Sequence, residues 1–157
     1  DPSGVIYSQA LESPEGEVRL NLNGALEKNT MAGSFLAGKS GAGIQHIAFL
    51  TDDIFETSAI LERSGFARLQ IAPNYYAETQ SEFDLDADLV GKMQAASILY
   101  DRDEGGSYFQ IYGQTLFAGF FFEIIERRGR YAGYGARNAA IRLAAQAKAR
   151  SQQQVAS

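Results

Sequence analysis

Residues 117–126 read Phe-Ala-Gly-Phe-Phe-Phe-Glu-Ile-Ile-Glu, a run that sets one carboxylate, Glu123, inside aromatic and β-branched side chains. Such a run predicts a β-strand over Phe117–Glu126 that is largely withdrawn from water. A charged carboxylate there is costly unless something cationic meets it. The fold must therefore bring a metal ion or an arginine to Glu123, or leave its strand at an edge facing solvent. Arg127, Arg128 and Arg142 are the candidate arginines.

The same question arises at Ile44–Leu50, a short apolar run that carries the only His of the chain, His46. On a strand, Ile44, His46 and Ala48 share one face, and Gln45, Ile47 and Phe49 share the other. Imidazole and carboxylate are the ligand types of non-haem Fe(II) sites, where two His and one carboxylate leave positions open. A hydrogen-bonded core histidine is the alternative reading of His46. The chain has no Cys, which excludes disulfides and thiolate metal sites.

Around these two strands the pattern is mixed. Val5–Glu12 and Glu17–Asn23 read as strands joined by the turn Ser13-Pro14-Glu15-Gly16. Residues 29–39 suit a loop or short helix. A helix follows His46: Asp53 and Glu56 have capping-box spacing, Ile54, Ser58 and Leu61 form a stripe, and Gly65 suits the stop. Phe66–Ile71 reads as a strand, Pro73-Asn74-Tyr75-Tyr76 as a turn, and Asp84–Ala95 as a helix with an acidic start. Ile98–Asp101 and Tyr108–Tyr112 flank Arg102-Asp103-Glu104-Gly105-Gly106, a hairpin signal. The Ala-rich stretch from Asn138 is helical and frays toward Ser157. Strands and helices do not alternate regularly, so the fold class is α+β with an antiparallel, curved sheet.

Charge and hydropathy exclude several classes. The net charge of −5 argues against nucleic acid. No apolar run reaches the ~20 residues of a membrane span. Asp1-Pro2-Ser3-Gly4 has no signal-peptide character, and the chain does not begin with Met, which reads as a trimmed chain or a piece of a longer protein. A cytoplasmic location is expected.

Five segments, in order, resemble the 4-hydroxyphenylpyruvate dioxygenase family of the vicinal oxygen chelate superfamily. Gly41-Ala42-Gly43-Ile44-Gln45-His46-Ile47-Ala48 is similar to the strand with its second iron-binding His. Pro73-Asn74-Tyr75-Tyr76 resembles its proline–tyrosine turn. Leu99-Tyr100-Asp101-Arg102-Asp103 with Phe109-Gln110-Ile111-Tyr112 resembles its late hairpin. Phe121-Phe122-Glu123-Ile124-Ile125-Glu126-Arg127 resembles the strand with its iron-binding carboxylate. Gly133-Tyr134-Gly135-Ala136-Arg137-Asn138 resembles the entry to its C-terminal gating helix, with Arg137 departing from the usual pattern.

The resemblance implies paired βαβββ modules whose mixed sheets curl around a metal. Residues 1–28 would end one module, residues 41–148 would form the next with its gating helix, and residues 149–157 would be a frayed tail. It implies Fe(II) or another divalent metal, held by His46 and Glu123. It also implies a small aromatic 2-oxo acid as substrate, decarboxylated as its ring is hydroxylated to give homogentisate. Ser8 and Asn23 would bind the keto-acid or ring end, although the family usually has Pro where Asn21 stands. Gln45 and Gln110 would line the pocket, and Tyr112, Phe121 and Tyr134 would wall it. Asn138 would face inward from the helix. Alternation puts Gln45 opposite His46, so the two share a pocket only across a bulge. The family's first iron-binding His falls before Asp1. The isolated chain is therefore expected to be inactive, and to need a homo-oligomer or an upstream domain.

Asn29-Thr30, Asp101-Arg102-Asp103 and Arg137-Asn138-Ala139 look more like the C-terminal domain of bacterial 3-dehydroshikimate dehydratases. Those proteins fuse a sugar-isomerase-like barrel to a dioxygenase-like domain. The alternative function is thus a structural or non-catalytic accessory domain.

Overall fold

A computed structural model describes residues 6–27, 30–39 and 41–155. Val5, Lys28, Asn29 and the last two residues of the tail, which entered the expectations above, lie outside the described residues. The chain divides into two compact units, Asp1–Gln45 and His46–Ser157.

In the first unit, β1 (Ile6–Glu12) pairs antiparallel with β2 (Arg19–Ala25), in register from Ile6↔Ala25 to Glu12↔Arg19. Gly16 closes the turn between them at φ +75°, where a side chain would be strained. The 30–39 segment is a helix, α1 (Met31–Lys39), and the Thr30 hydroxyl accepts from the Gly33 N–H at its start.

The second unit runs β3 (His46–Leu50), α2 (Ile54–Arg63), α3 (Pro73–Phe83), α4 (Ala87–Ala96), β4 (Leu99–Arg102), β5 (Gly106–Tyr112), β6 (Phe121–Gly129) and α5 (Ala139–Val155). One strand, a helical crossover and three strands give the βαβββ order. The open sheet is ordered β3-β6-β5-β4, with β3 parallel to β6 and the other neighbours antiparallel. It is thus a mixed sheet and not the antiparallel one expected from the element order, because the helical crossover returns the chain in the direction of β3.

Local signals explain most of the element ends. Asp53 caps α2 by accepting from the N–H groups of Phe55 and Glu56, both at 2.9 Å, and Gly65 leaves the helix at φ +77°. Asp86 caps α4 through the Leu89 N–H.

Three further expectations are corrected. Pro73-Asn74-Tyr75-Tyr76 is not a turn but the first turn of α3, because Pro at the first helical position presets φ and gives up an N–H that would have had no partner. Phe66–Ile71 is not a strand. It makes one antiparallel bridge, Arg68↔Gly113, with Leu69 N–H donating to the Tyr112 carbonyl. β4 already occupies that edge of β5 as far as Gln110, so only the end of β5 is free to pair. Finally, Phe117–Gly119 is a 3-10 turn with Ala118 and Gly119 at positive φ, so the strand starts at Phe121.

Register fixes two faces. His46 lies beside Phe121, Tyr112 beside Glu123, and Leu99 beside Gln110. Strand alternation therefore puts His46, Phe121, Glu123, Tyr112 and Gln110 on one face. Tyr100, Phe109, Ile111 and Ile124 take the other, where they form the core with Ile54, Tyr76 and Met93 from the helices. Full burial of one such side chain stabilises by roughly 1.5–3 kcal/mol.

Candidate metal centre

The Nε2 of His46 lies 3.5 Å from Oε2 of Glu123, with Glu123 buried and His46 partly open to solvent. β3 and β6 place them there: β3 begins at His46, opposite Phe121, and its parallel neighbour β6 delivers the carboxylate two residues further on, from the same face. Gln110, on β5, is buried and donates from Nε2 to Oε1 of Glu123 at 2.8 Å and to the Tyr112 hydroxyl at 2.8 Å. The Gln110 carbonyl oxygen accepts from Asn138 Nδ2 at 2.7 Å. Asn138, fully buried, also donates to the Tyr100 carbonyl and accepts from the Tyr75 hydroxyl. A chain of hydrogen bonds thus runs from α3 and the start of α5 to the carboxylate.

Burial raises the Glu123 carboxyl to about 7, against the hydrogen bond from Gln110 and the charges of Arg142 and Arg127, which favour the ionised form. Burial, and after it the Arg142 charge, lowers His46 to about 4. The imidazole is therefore neutral at neutral pH, and its approach to Glu123 is not an ion pair. Neutral imidazole is the state that binds metal.

The imidazole ring stacks on Phe121 at 4.9 Å between ring centres, 10° from parallel, and Tyr112 meets Phe121 edge-on. The Arg142 guanidinium, on α5, lies over Phe121 and Tyr112.

Do these residues fit a divalent ion? Ligand bonds of ~2.0–2.2 Å at tetrahedral or octahedral angles set adjacent ligand atoms about 3.0–3.5 Å apart. The His46–Glu123 separation falls in that range. The buried Nδ1 of His46 has no hydrogen-bond partner among the described residues, so the protein spends neither imidazole nitrogen on a strong bond of its own. The two residues fit as part of a ligand set. They do not complete one: no group of three or more His, Cys, Asp or Glu among the described residues could hold an ion, and the chain has no second His.

Of the residues singled out by sequence, the structure brings His46, Glu123, Gln110, Tyr112 and Phe121 together, with Asn138 one hydrogen bond further out. Tyr134 lies near the Arg127 guanidinium, at 5.7 Å, in the loop that leads to Asn138. Ser8 and Asn23 belong to the first unit, where their side chains hydrogen-bond to each other at 2.6 Å on an exposed ribbon. Gln45 is the last residue of that unit and precedes β3, so strand alternation does not govern it.

Arg142 and Gln146 escaped the sequence reading as site residues. The available signal was Asn138, Arg142 and Gln146 at four-residue steps, a polar stripe on an Ala-rich helix. Gly135 was quoted only within a motif. It sits at φ +61°, and a Cβ there would collide with the Gln110 amide.

The βαβββ order, the open mixed sheet and an imidazole–carboxylate pair on its face define a domain of the vicinal-oxygen-chelate type. No protein-family model matches the chain. Individual proteins do. The chain is 45% identical over 152 residues to a 3-dehydroshikimate dehydratase of Pseudomonas putida, covering 96% of this chain and 24% of that protein. It is 32% identical over 136 residues to a 4-hydroxyphenylpyruvate dioxygenase of Legionella pneumophila, covering 85% and 39%. A solved structure described as a xylose isomerase-like TIM barrel/4-hydroxyphenylpyruvate dioxygenase fusion protein superposes with a TM-score of 0.77 at 44% identity, over 90% of this chain and 23% of that one. The chain is homologous to the 4-hydroxyphenylpyruvate dioxygenase family and to 3-dehydroshikimate dehydratases, and it spans about a quarter of the length of the curated relatives it matches first. No described helix is long and apolar enough to cross a membrane.

Proposed function

We propose that this chain is the metal-holding and substrate-walling part of a 4-hydroxyphenylpyruvate dioxygenase-like domain within a longer cytoplasmic protein. The observation that carries this is the buried Glu123 carboxylate 3.5 Å from a neutral imidazole, with no arginine in ion-pair contact among the described residues. Bound Fe(II) would supply coupling of 2-oxo acid decarboxylation to hydroxylation of the aromatic ring.

The chain's own residues do the rest. His46 offers a neutral nitrogen. Gln110 holds Oε1 of Glu123 and so leaves Oε2 to the metal, as an outer partner does for a ligating carboxylate. Phe121 and Tyr112 give the substrate ring an aromatic surface. Asn138 ties α5 to Gln110, so the helix that shields the face from water is linked to the ligand it shields. In this reading residues 41–148 form the module and residues 1–28 end another. The remaining ligands then come from an upstream segment or a second copy. Tyr134 is a further substrate contact of this module, and Ser8, Asn23 and Gln45, in the other compact unit, are contacts on the family resemblance alone.

A second reading is favoured by one observation: identity is higher to the dehydratase than to the dioxygenase. The domain would then be an accessory, non-catalytic part of a dehydratase.

Cobalt(II) titration and oxygen uptake separate the two. The chain is expected to bind cobalt weakly, to lose that binding in Glu123→Gln and His46→Ala, and to show no uptake with 4-hydroxyphenylpyruvate by itself. Uptake in the longer protein supports the oxygenase. Cobalt binding without uptake in either supports the accessory domain. Binding unchanged in both variants removes the metal site.

A further inference from the structure

α5 and the turn Ala136–Asn138 that leads into it present two stripes inward. Ile141, Ala145 and Ala149 pack against the core. Asn138, Arg142 and Gln146 form the other, and Asn138 and Gln146 are buried. Arg142 therefore sits between two buried polar residues, and its guanidinium carbon lies 5.1 Å from the centre of the Phe121 ring and 5.7 Å from that of Tyr112. His46 stacks on the same Phe121 ring.

Stacking uses the flat face of a guanidinium and leaves its in-plane N–H groups free to donate. One of the five, on Nη1, donates to Gln146 Oε1 at 3.0 Å. No described carboxylate is within ion-pair reach of Arg142. Arg68, Arg128 and Arg137 of this unit each meet a Glu, Arg127 and Arg102 donate to backbone carbonyls, and Arg63, Arg130 and Arg150, which have no such partner among the described residues, are exposed where Arg142 is not. Arg142 is thus held in place by rings and one amide, beside the candidate metal pair, with most of its donors uncommitted among the described residues. The phenol of a 4-hydroxyphenyl ring does not call for such a group. A carboxylate does, because its two oxygens match the planar fork.

Resting on the metal-site reading above, we propose that Arg142 is the specificity residue of this site and pairs with a carboxylate on the ligand other than the one that would reach the metal. The site then selects small ring acids with two carboxylates over those with one. A charge-assisted pair in a partly closed site makes the expected preference about tenfold or more.

The probes are 4-carboxyphenylpyruvate and phenylpyruvate, titrated by calorimetry into the full chain with and without cobalt(II), at low and high salt. The visible spectrum of cobalt reports the His46–Glu123 pair independently. The wild type is expected to prefer the dicarboxylate, with the preference shrinking at high salt. Arg142→Leu is expected to abolish the preference while cobalt(II) still binds, and Arg142→Lys to keep part of the preference. A wild type without preference, or an Arg142→Leu that keeps it, overturns the proposal. If cobalt does not bind at all, the metal-site reading falls. The metal-free titration then decides: dicarboxylate binding that depends on Arg142 sustains the inference, and binding that does not overturns it. Far-UV circular dichroism identifies a variant that fails to fold, and for such a variant Arg142→Gln is titrated in its place.

Discussion

The two faces of the β3-β6-β5-β4 sheet are made by the same strands and have opposite characters. The helix side is mainly apolar: Phe109, Ile111 and Ile124 pack on Ile54, Tyr76 and Met93, and its buried carboxylate, Glu126, is matched by the Ile54 N–H and Arg128. The other side buries polar groups in sequence, Glu123 to Gln110 to Asn138 to Tyr75. The first face gains stability from area removed from water. The second gains little net stability, because each of its hydrogen bonds replaces one with water, and its acid is raised to about 7 by burial. What it gains is position. A side chain that must meet a metal or ligand is fixed by partners that have no alternative once buried. Stability and site are therefore separable by face, and substitutions should act on one or the other.

The largest effect is expected from Phe109→Ala. It empties a site that is 1% exposed on the helix side and should cost about 3–5 kcal/mol in urea unfolding. The cobalt spectrum of the fraction that remains folded should be unchanged. An altered spectrum would show that the faces are coupled.

Next is the pH response of Glu123. Its folded pKa of about 7 stands above the ordinary 4.5. As pH rises the unfolded chain releases this proton first, so the stability tied to Glu123 is full below about 4.5 and is lost as pH climbs through about 7. The loss in the metal-free protein should be on the order of 3 kcal/mol. Glu123→Gln should remove that slope. His46, lowered to about 4, acts at the acid end and remains in both proteins, so their difference isolates the carboxyl. Equal slopes in the two proteins would mean that Glu123 is not buried as an acid.

The smallest global effect is expected from Gly135→Ala. The left-handed backbone there costs a side chain about 1–2 kcal/mol. The new methyl group also meets the Gln110 amide, so cobalt affinity should fall more than stability does. Loss of stability with unchanged affinity would show that Gln110 does not position Glu123.

Much of this was legible from residues alone. The Asp53 cap, the Gly65 stop, the β4–β5 hairpin and the strands around His46 and Glu123 follow from patterns spanning a few residues, and those patterns act locally whatever the rest of the chain does. The same locality produced the errors. Pro73 reads as a turn because Pro favours turns and helix starts alike, and only the residues after it decide which. Phe66–Ile71 has strand composition, but a strand also needs an open edge, and β4 takes that edge.

The sequence by itself determined the ligand types: one imidazole, one carboxylate in an apolar run, and no thiol. It also made burial of Glu123 expensive enough to require a partner. Which partner it has was decided by tertiary structure. Arg127, Arg128 and Arg142 were equal candidates along the chain. The parallel register of β3 on β6 gives the place beside Oε2 to His46, and the antiparallel register of β5 gives Oε1 to Gln110. Side-chain chemistry is a property of single residues and can be read from a sequence, but the meeting of two strands far apart in the chain depends on their shared register, which no local pattern encodes.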